Sequence, residues 1–347
     1  MVHIFHIGLL VFGLLTILAV GNGYQHNFAV LTTVLLALFC VCVFGNRPVE
    51  PYTDTYVYVS HLNRYKNDID IGIGFIPSKD IAWDSFVRLA AHLNMSEKQF
   101  LFCSALLFLV PIFIAFYRLF ESEMLLPFLL LYSCFFFWAL GTNIMRTGVG
   151  LSFFLLGISY KDNIKGGFLC FIVSILFHLS FILPVCVWML FKYTRMDMKY
   201  TIAVWCLSLI LAYLNIGALN RLLQFINNPT VNERIGDYLN FGITSYSTGF
   251  RFDFILFSLF FGGLGLFLRK KMYTDRFYDT VLKSYIIINA FFLLAINIPF
   301  SDRFAVLSWV LIPVICTYPL IKSRYPYWEY MTLFLSFFMF SLSIIIF

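Results

Sequence analysis

Charge is what this sequence has least of. Only 12% of its 347 residues are Asp, Glu, Lys or Arg, about half the share of a soluble domain, so water does not surround most of the chain. Segments of about ten residues alternating apolar and polar positions are missing too, which excludes a transmembrane β-barrel. The eight cysteines all lie in apolar runs, none spaced with histidines as in a zinc site, and read as small core side chains. Gly72 and Gly74, in I-G-I-G, have no strand–helix context and carry no phosphate-binding weight. The first apolar run, 4–20, lacks a positive leader and is followed by N-G-Y-Q-H-N, so it reads as a retained helix rather than a cleaved signal. The net charge of +6 comes mostly from loop Lys and Arg, and no nucleic-acid partner is expected.

What is present is hydrocarbon. The chain is 61% hydrophobic and 20% aromatic, with 43 Phe and a mean hydropathy of +0.86. The expectation is an all-α, polytopic integral membrane protein. Apolar runs at 4–20, 27–45, 100–118, 125–141, 147–160, 167–191, 201–216, 252–268, 284–298, 304–321 and 329–347 predict about eleven helices, within a range of ten to twelve, in a single transmembrane domain over 1–347. The run 147–160 is short for a core of about 30 Å. Pro184 divides 167–191 and predicts a broken helix there, of the kind that lines a cavity. Larger polar loops occupy 46–99 and 217–251, and P-F-S-D-R forms a turn at 299–303. Within the first loop, Ile81, Phe86, Leu89, Ala90 and Leu93 share one face of an expected interfacial helix.

The chain is organised around 143–180. Arg146 stands at the mouth of one apolar run and His178 lies about ten residues into the next, joined by the basic turn K-D-N-I-K, so the two runs are expected to pair antiparallel. Ionisable groups at membrane depth cost roughly 2.5–3.5 kcal/mol on insertion scales and persist when paired or useful. The basic turns at 192–199, 269–271 and 322–324 are expected on the cytoplasmic side, which puts 217–251 and 299–303 outside. Simple alternation would then place Arg146 inside. Placing Lys161 and Lys165 in the cytoplasm instead gathers Arg146 and Asp54 outside, and needs one extra crossing or a re-entrant pair, expected at Pro184.

Several stretches, in order, resemble the EpsG/Wzy-type polysaccharide polymerases. They are N-R-P-V-E-P-Y-T-D-T-Y-V-Y at 46–58, Arg146 leading an apolar run, F-H-L-S-F-I-L-P at 177–184, G-F-R-F-D-F at 249–254 and S-D-R-F-A-V-L-S-W at 301–309. The first departs from the family's Arg-x-Gly-x-Asp-Tyr-x-x-Tyr pattern: no glycine stands shortly before Asp54, and Thr55 follows it. The resemblance implies a metal-independent membrane glycosyltransferase of the GT-C kind, without cofactors, at the outer face of a bacterial inner (cytoplasmic) membrane. It implies en bloc transfer of a glycan from undecaprenyl pyrophosphate to a new lipid-linked repeat unit. The implied partners are those lipid-linked oligosaccharides and membrane lipid, with a chain-length regulator and a flippase as further candidates.

That chemistry asks for cations at a pyrophosphate leaving group, and arginine supplies permanent, bidentate ones. Arg146, Arg251 and Arg303 each begin or precede an apolar helix, whose N-terminus adds positive potential. Asn143, Arg234 and Asp302 join them as substrate-binding candidates, with Tyr56 and Tyr58 as sugar platforms. Asp54 and His178 are the candidate general bases for the acceptor hydroxyl. No dense Asp/Glu cluster suggests a metal. Each residue has a plainer reading beside the chemical one. Arg146 snorkels to headgroups, His178 and Ser180 bond a neighbouring helix, Asp302 caps a helix and pairs with Arg303, the tyrosines form an interfacial belt, and Arg221 and Arg234 are solvated. Two other functions compete: a transporter or flippase for lipid-linked oligosaccharide, and an O-antigen ligase using His61 or His92. No inverted repeat supports the former. An acyltransferase reading has no histidine–aspartate doublet to stand on.

Overall fold

A computed structural model describes residues 2–21, 26–50, 53–67, 80–161, 163–214, 250–298 and 300–346. Among them every regular element is helical. Contacts divide the chain into two compact units, Met1–Ile182 with Arg324–Phe347, and Leu183–Ser323.

The first unit holds α1 (Val2–Gly21), α2 (His26–Gly45), α3 (Asp54–Asn67), α4 (Ile81–His92), α5 (Glu97–Phe120), α6 (Leu125–Ser133), α7 (Phe135–Thr142), α8 (Met145–Ser159) and α9 (Ile164–Phe177). The second holds α10 (Ile182–Tyr193), α11 (Met198–Tyr213), α12 (Phe252–Lys271), α13 (Arg276–Leu294), α14 (Asp302–Trp309) and α15 (Ile312–Lys322), while α16 (Trp328–Ile346) belongs to the first. Seven helical stretches among the described residues are long and apolar enough to cross a membrane, or eight if one bent pair counts as a span. Three further apolar helices, Lys165–Phe177, Leu179–Tyr193 and Met198–Tyr213, are shorter, so the described residues offer seven or eight candidate spans where about eleven helices were expected.

The bent pair is α7 and α8, which meet at 113°. Close packing holds that elbow: a Cβ on Gly148 would overlap the carbonyl oxygen of Leu140. α8 then runs alongside α5 in the same direction. Ser152 bonds the carbonyl of Leu107 at 3.4 Å, and at the far end the Arg118 guanidinium stacks 3.8 Å over Tyr160. α9 returns antiparallel to α8, as expected from the short turn. It approaches closely because Gly150 and Gly157 leave room for Phe181 and Phe171.

The run 167–191 is broken, but six residues before Pro184. His178 is extended (φ −156°, ψ 115°) and closes α9, a single 3₁₀ turn follows over Leu179–Phe181, and α10 begins at Ile182. Pro184 falls in the first turn of α10, where its missing N–H costs nothing. The sharp breaks lie at the α7–α8 elbow and at His178, not at the proline. On α4 the buried side chains are Trp83, Val87, Ala90 and Ala91, whereas Leu89 (54%) and Leu93 (57%) are exposed. The apolar face at 81–93 is thus rotated from the expected one. The aromatic Trp83 sets it, packing edge-on against Tyr58 of α3 and Phe100 of α5.

In the second unit Lys192, Arg269, Lys270, Lys271 and Arg276 gather at one end. Arg269 at the end of α12 grips Asp279 of α13 with two bonds of 2.6 and 3.2 Å. Arg276 bonds the Lys192 carbonyl at the end of α10. α12 starts after Arg251 and α14 starts at Asp302, both at the opposite end. Its core contains a satisfied polar knot. Asn289 of α13 accepts from the Trp205 indole at 2.9 Å and donates to Ser258 and Ser308 at 2.9 and 3.1 Å, tying α11, α12 and α14 together.

Candidate functional site

The site in the first unit is built on three chain interruptions. The C-terminus of α9 stops at His178, the N-terminus of α8 starts at Met145, and the N-terminus of α4 starts after Asp80. Their side chains meet at the end of the unit opposite Arg118 and Tyr160. Arg146 Nη1 donates to Asp80 Oδ2 at 2.7 Å. The other carboxylate oxygen, Oδ1, lies 3.3 Å from His178 Nδ1 and accepts the Leu179 N–H at 3.1 Å. Asp80 is deeply buried, its side chain 5% exposed, while Arg146 (43%) and His178 (23%) reach the surface.

Asp80 occupies the N-cap of α4, where an aspartate ordinarily bonds its own helix's amides. It makes no such bond. The carboxylate turns away to the other two elements, forgoing about 1 kcal/mol of capping. A local rule gives way here to a long-range contact, which makes Asp80 a candidate site residue. The helix break supplies the third partner, since an extended His178 leaves the Leu179 N–H pointing at Asp80 rather than up a helix.

Burial pushes the Asp80 carboxyl up, but the His178 bond and charge, the Arg146 charge and the Leu179 amide outweigh it and hold the group below the usual carboxylate range. A depressed acid contributes stability that is complete above its unfolded value, about 3.9, and is lost as pH falls through the folded value. The stability difference between wild type and Asp80→Asn, read by thermal unfolding in detergent, is therefore expected to be present at neutral pH and to shrink below about 4. A difference that persisted undiminished below about pH 3 would contradict an ionised Asp80.

The structure brings Arg146 and His178 together, and Tyr58 with them: its buried ring lies 5.9 Å from the Arg146 guanidinium. Asn143 caps α7 at the same elbow and is exposed, its Oδ1 accepting from Thr142 at 3.0 Å. Asp54 and Tyr56 do not join them. Asp54 is the exposed first residue of α3, and Tyr56 points to the other flank of that helix, into a groove with Arg64 and Glu97. Arg251 and Arg303 lie in the second unit. Arg251 holds Asp253 through bonds of 2.9 and 2.6 Å and stacks 3.9 Å over Phe254. Arg303 stacks 4.6 Å over Phe300. Ser301 is the N-cap of α14, so Asp302 is its first residue rather than the expected cap. Arg234 and Arg221 lie outside the described residues. Among those residues no group of three or more His, Cys, Asp or Glu is placed to hold a metal ion.

Two residues escaped the sequence reading. Asp80 is one of several acids in a long polar loop, and its sole signal was a position just before an amphipathic helix. Arg47 was visible in N-R-P-V-E-P but without a role. It is 6% exposed and ties four elements: Nε donates to Thr55 of α3 at 3.0 Å, Nη1 to the Phe44 and Gly141 carbonyls of α2 and α7 at 2.7 and 3.0 Å, and Nη2 contacts Met145 Sδ of α8 at 2.9 Å.

Neither the curated proteins nor the solved structures offer a significant match. The family model described as EpsG family matches residues 30–347, a span that includes Asp80, Arg146 and His178 and all five stretches of the resemblance. The chain belongs to the EpsG family, and so to a class of multi-pass membrane proteins with a polysaccharide polymerase-type function.

Proposed function

We propose that this protein polymerises glycan at the outer face of a bacterial inner membrane. The chain carried on undecaprenyl pyrophosphate moves en bloc to the non-reducing end of a new lipid-linked repeat unit. The observation that carries the reading is the convergence of Arg146, Asp80 and His178 at one end of the first unit. Arg118 and Lys161 lie at the other end. With Lys161 and Lys165 taken as cytoplasmic, that far end lies inside and the cluster outside.

The cluster divides the chemistry. A carboxylate only accepts, so the Asp80 contact favours a proton on His178 Nδ1 and leaves the Nε2 lone pair as the base. The acceptor hydroxyl oxygen attacks the anomeric carbon and its proton passes to Nε2. The bond from that carbon to the phosphate oxygen breaks, and the electron pair leaves on the pyrophosphate. Arg146, at the positive end of α8, faces that developing charge. Arg251 and Arg303 stand at the starts of helices in the second unit and stay phosphate-binding candidates there, without a metal ion. Asp54, exposed and away from Arg146, yields the base role to His178.

The test is the surface glycan of a strain lacking this protein. Wild type is expected to restore a ladder, and Arg146→Ala at normal protein level to leave carriers bearing one repeat unit. A full ladder from Arg146→Ala would overturn the assignment. Loss of all glycan, with repeat units accumulating on the inner face, would turn the reading to a flippase. An intact ladder lacking only its attachment to the outer-membrane lipid would turn it to a ligase.

A further inference from the structure

The flank of α3 that faces away from Arg146 carries an open groove of about 450 Å³, within the size range of small-ligand sites. Tyr56, Ser60, Asn63 and Asn67 recur at helical spacing along its floor, with Arg64 beside them and Glu97 of α5 as the opposite wall. The wall is fixed, since Asn63 Nδ2 donates to Glu97 Oε1 at 3.0 Å. Tyr56 is 47% exposed and offers a ring face. The opposite side of the same helix buries Thr55, Tyr58 and Leu62.

We propose that this groove is a saccharide subsite, which holds the glycan a few sugar units away from the transfer site. The inference rests on the polymerase reading and deepens it. Sugar hydroxyls donate and accept, and the groove offers both kinds of partner: amides at Asn63 and Asn67, a hydroxyl at Ser60, a carboxylate at Glu97 and a guanidinium at Arg64. The Tyr56 face suits the apolar side of a pyranose ring. A phosphate would meet the Glu97 carboxylate, and an acyl chain would meet polar walls. Tyr58, two residues along the helix, approaches Arg146, so the groove and the cluster flank a helix about 10 Å thick. A glycan passing round α3 touches both.

The experiment uses oligosaccharide fragments released by partial acid hydrolysis from the strain's own surface glycan, titrated against the detergent-solubilised full chain. Wild type is expected to bind them. Tyr56→Ala and Asn67→Ala should each weaken binding about 5- to 10-fold and shorten the surface ladder, while Arg146→Ala should keep the affinity and lose the ladder. Both groove residues are exposed, and matching melting temperatures confirm that the variants fold. Wild type failing to bind, or both groove variants binding as well as wild type, overturns the subsite. If that happens while Arg146→Ala still stops polymerisation, the polymerase reading stands and the groove alone is wrong. If Arg146→Ala leaves the ladder intact, the polymerase reading falls whatever the groove does.

Discussion

Asp80→Asn is expected to lower polymer synthesis by roughly 100-fold or more, with protein in the membrane at the wild-type level. Asparagine matches aspartate in volume, so the packing of a side chain only 5% exposed is preserved. What disappears is the negative charge between Arg146 and His178, and one amide oxygen cannot serve both sides. Placed at Oδ1 it keeps the Leu179 N–H and the His178 ring but turns its NH₂ on the Arg146 guanidinium. Placed at Oδ2 it keeps Arg146 but turns its NH₂ on the ring, which favours the other tautomer and puts the proton on the atom that should take one. Positioning and tautomer control typically contribute factors of 10² to 10⁴, and this one change removes one or the other. Asp80→Glu keeps the charge but moves it by a methylene, so a small residual activity is expected from it. The measurement is ladder intensity normalised to membrane-bound protein, beside a melting curve. A full ladder from Asp80→Asn would show that Asp80 is only a strut between α4, α8 and α9.

Hydropathy made the helices legible in outline and hid their breaks. The run 252–268 corresponds closely to α12, Phe252–Lys271. The run 284–298 missed the first two turns of α13, because R-F-Y-D-T-V-L-K reads as polar although Asp275 caps the helix and Asp279 and Arg269 satisfy each other. The run 125–141 is two helices, separated at Cys134 (φ −68°, ψ 129°) with no glycine or proline to announce it. The site shows the same limit. Arg146 and His178 were visible because a charge in an apolar run is costly. Asp80 was not, since a carboxylate in a polar loop costs nothing locally. Its partners lie 66 and 98 residues along the chain, a separation that no periodicity records. Tyr56 and Tyr58 looked equivalent as neighbours in sequence, but a helix turns alternate residues by about 200°, and that sends one to the groove and the other to Arg146.

Arg47→Met is expected to destabilise the protein by about 3 kcal/mol, a fall in melting temperature of roughly 5 °C or more. Arg47 binds no carboxylate among its described hydrogen-bond partners. It is held instead by the ends of helices: the Phe44 carbonyl at the end of α2, the Gly141 carbonyl at the end of α7, and the Thr55 hydroxyl on α3. Helix C-termini leave carbonyls unpaired and carry partial negative charge, so two of them make a site for a buried cation. Burial pushes the guanidinium down to about 10, which still leaves it charged at neutral pH. Methionine fills the space and meets none of those acceptors, and each buried carbonyl left unsatisfied costs about 1–3 kcal/mol. The damage should also reach the chemistry, because the Gly141 end of α7 and Met145 at the start of α8 bracket the elbow from which Arg146 projects. Activity at a permissive temperature is then expected to fall further than the amount of folded protein does. Arg47→Lys retains the charge but lacks the fork that reaches both carbonyls and the hydroxyl at once, and should lie between Met and wild type in melting temperature. A Met variant that melts within about 1 °C of wild type would mean that water or a neighbouring amide satisfies those carbonyls, and that the elbow is held by the Gly148–Leu140 contact alone.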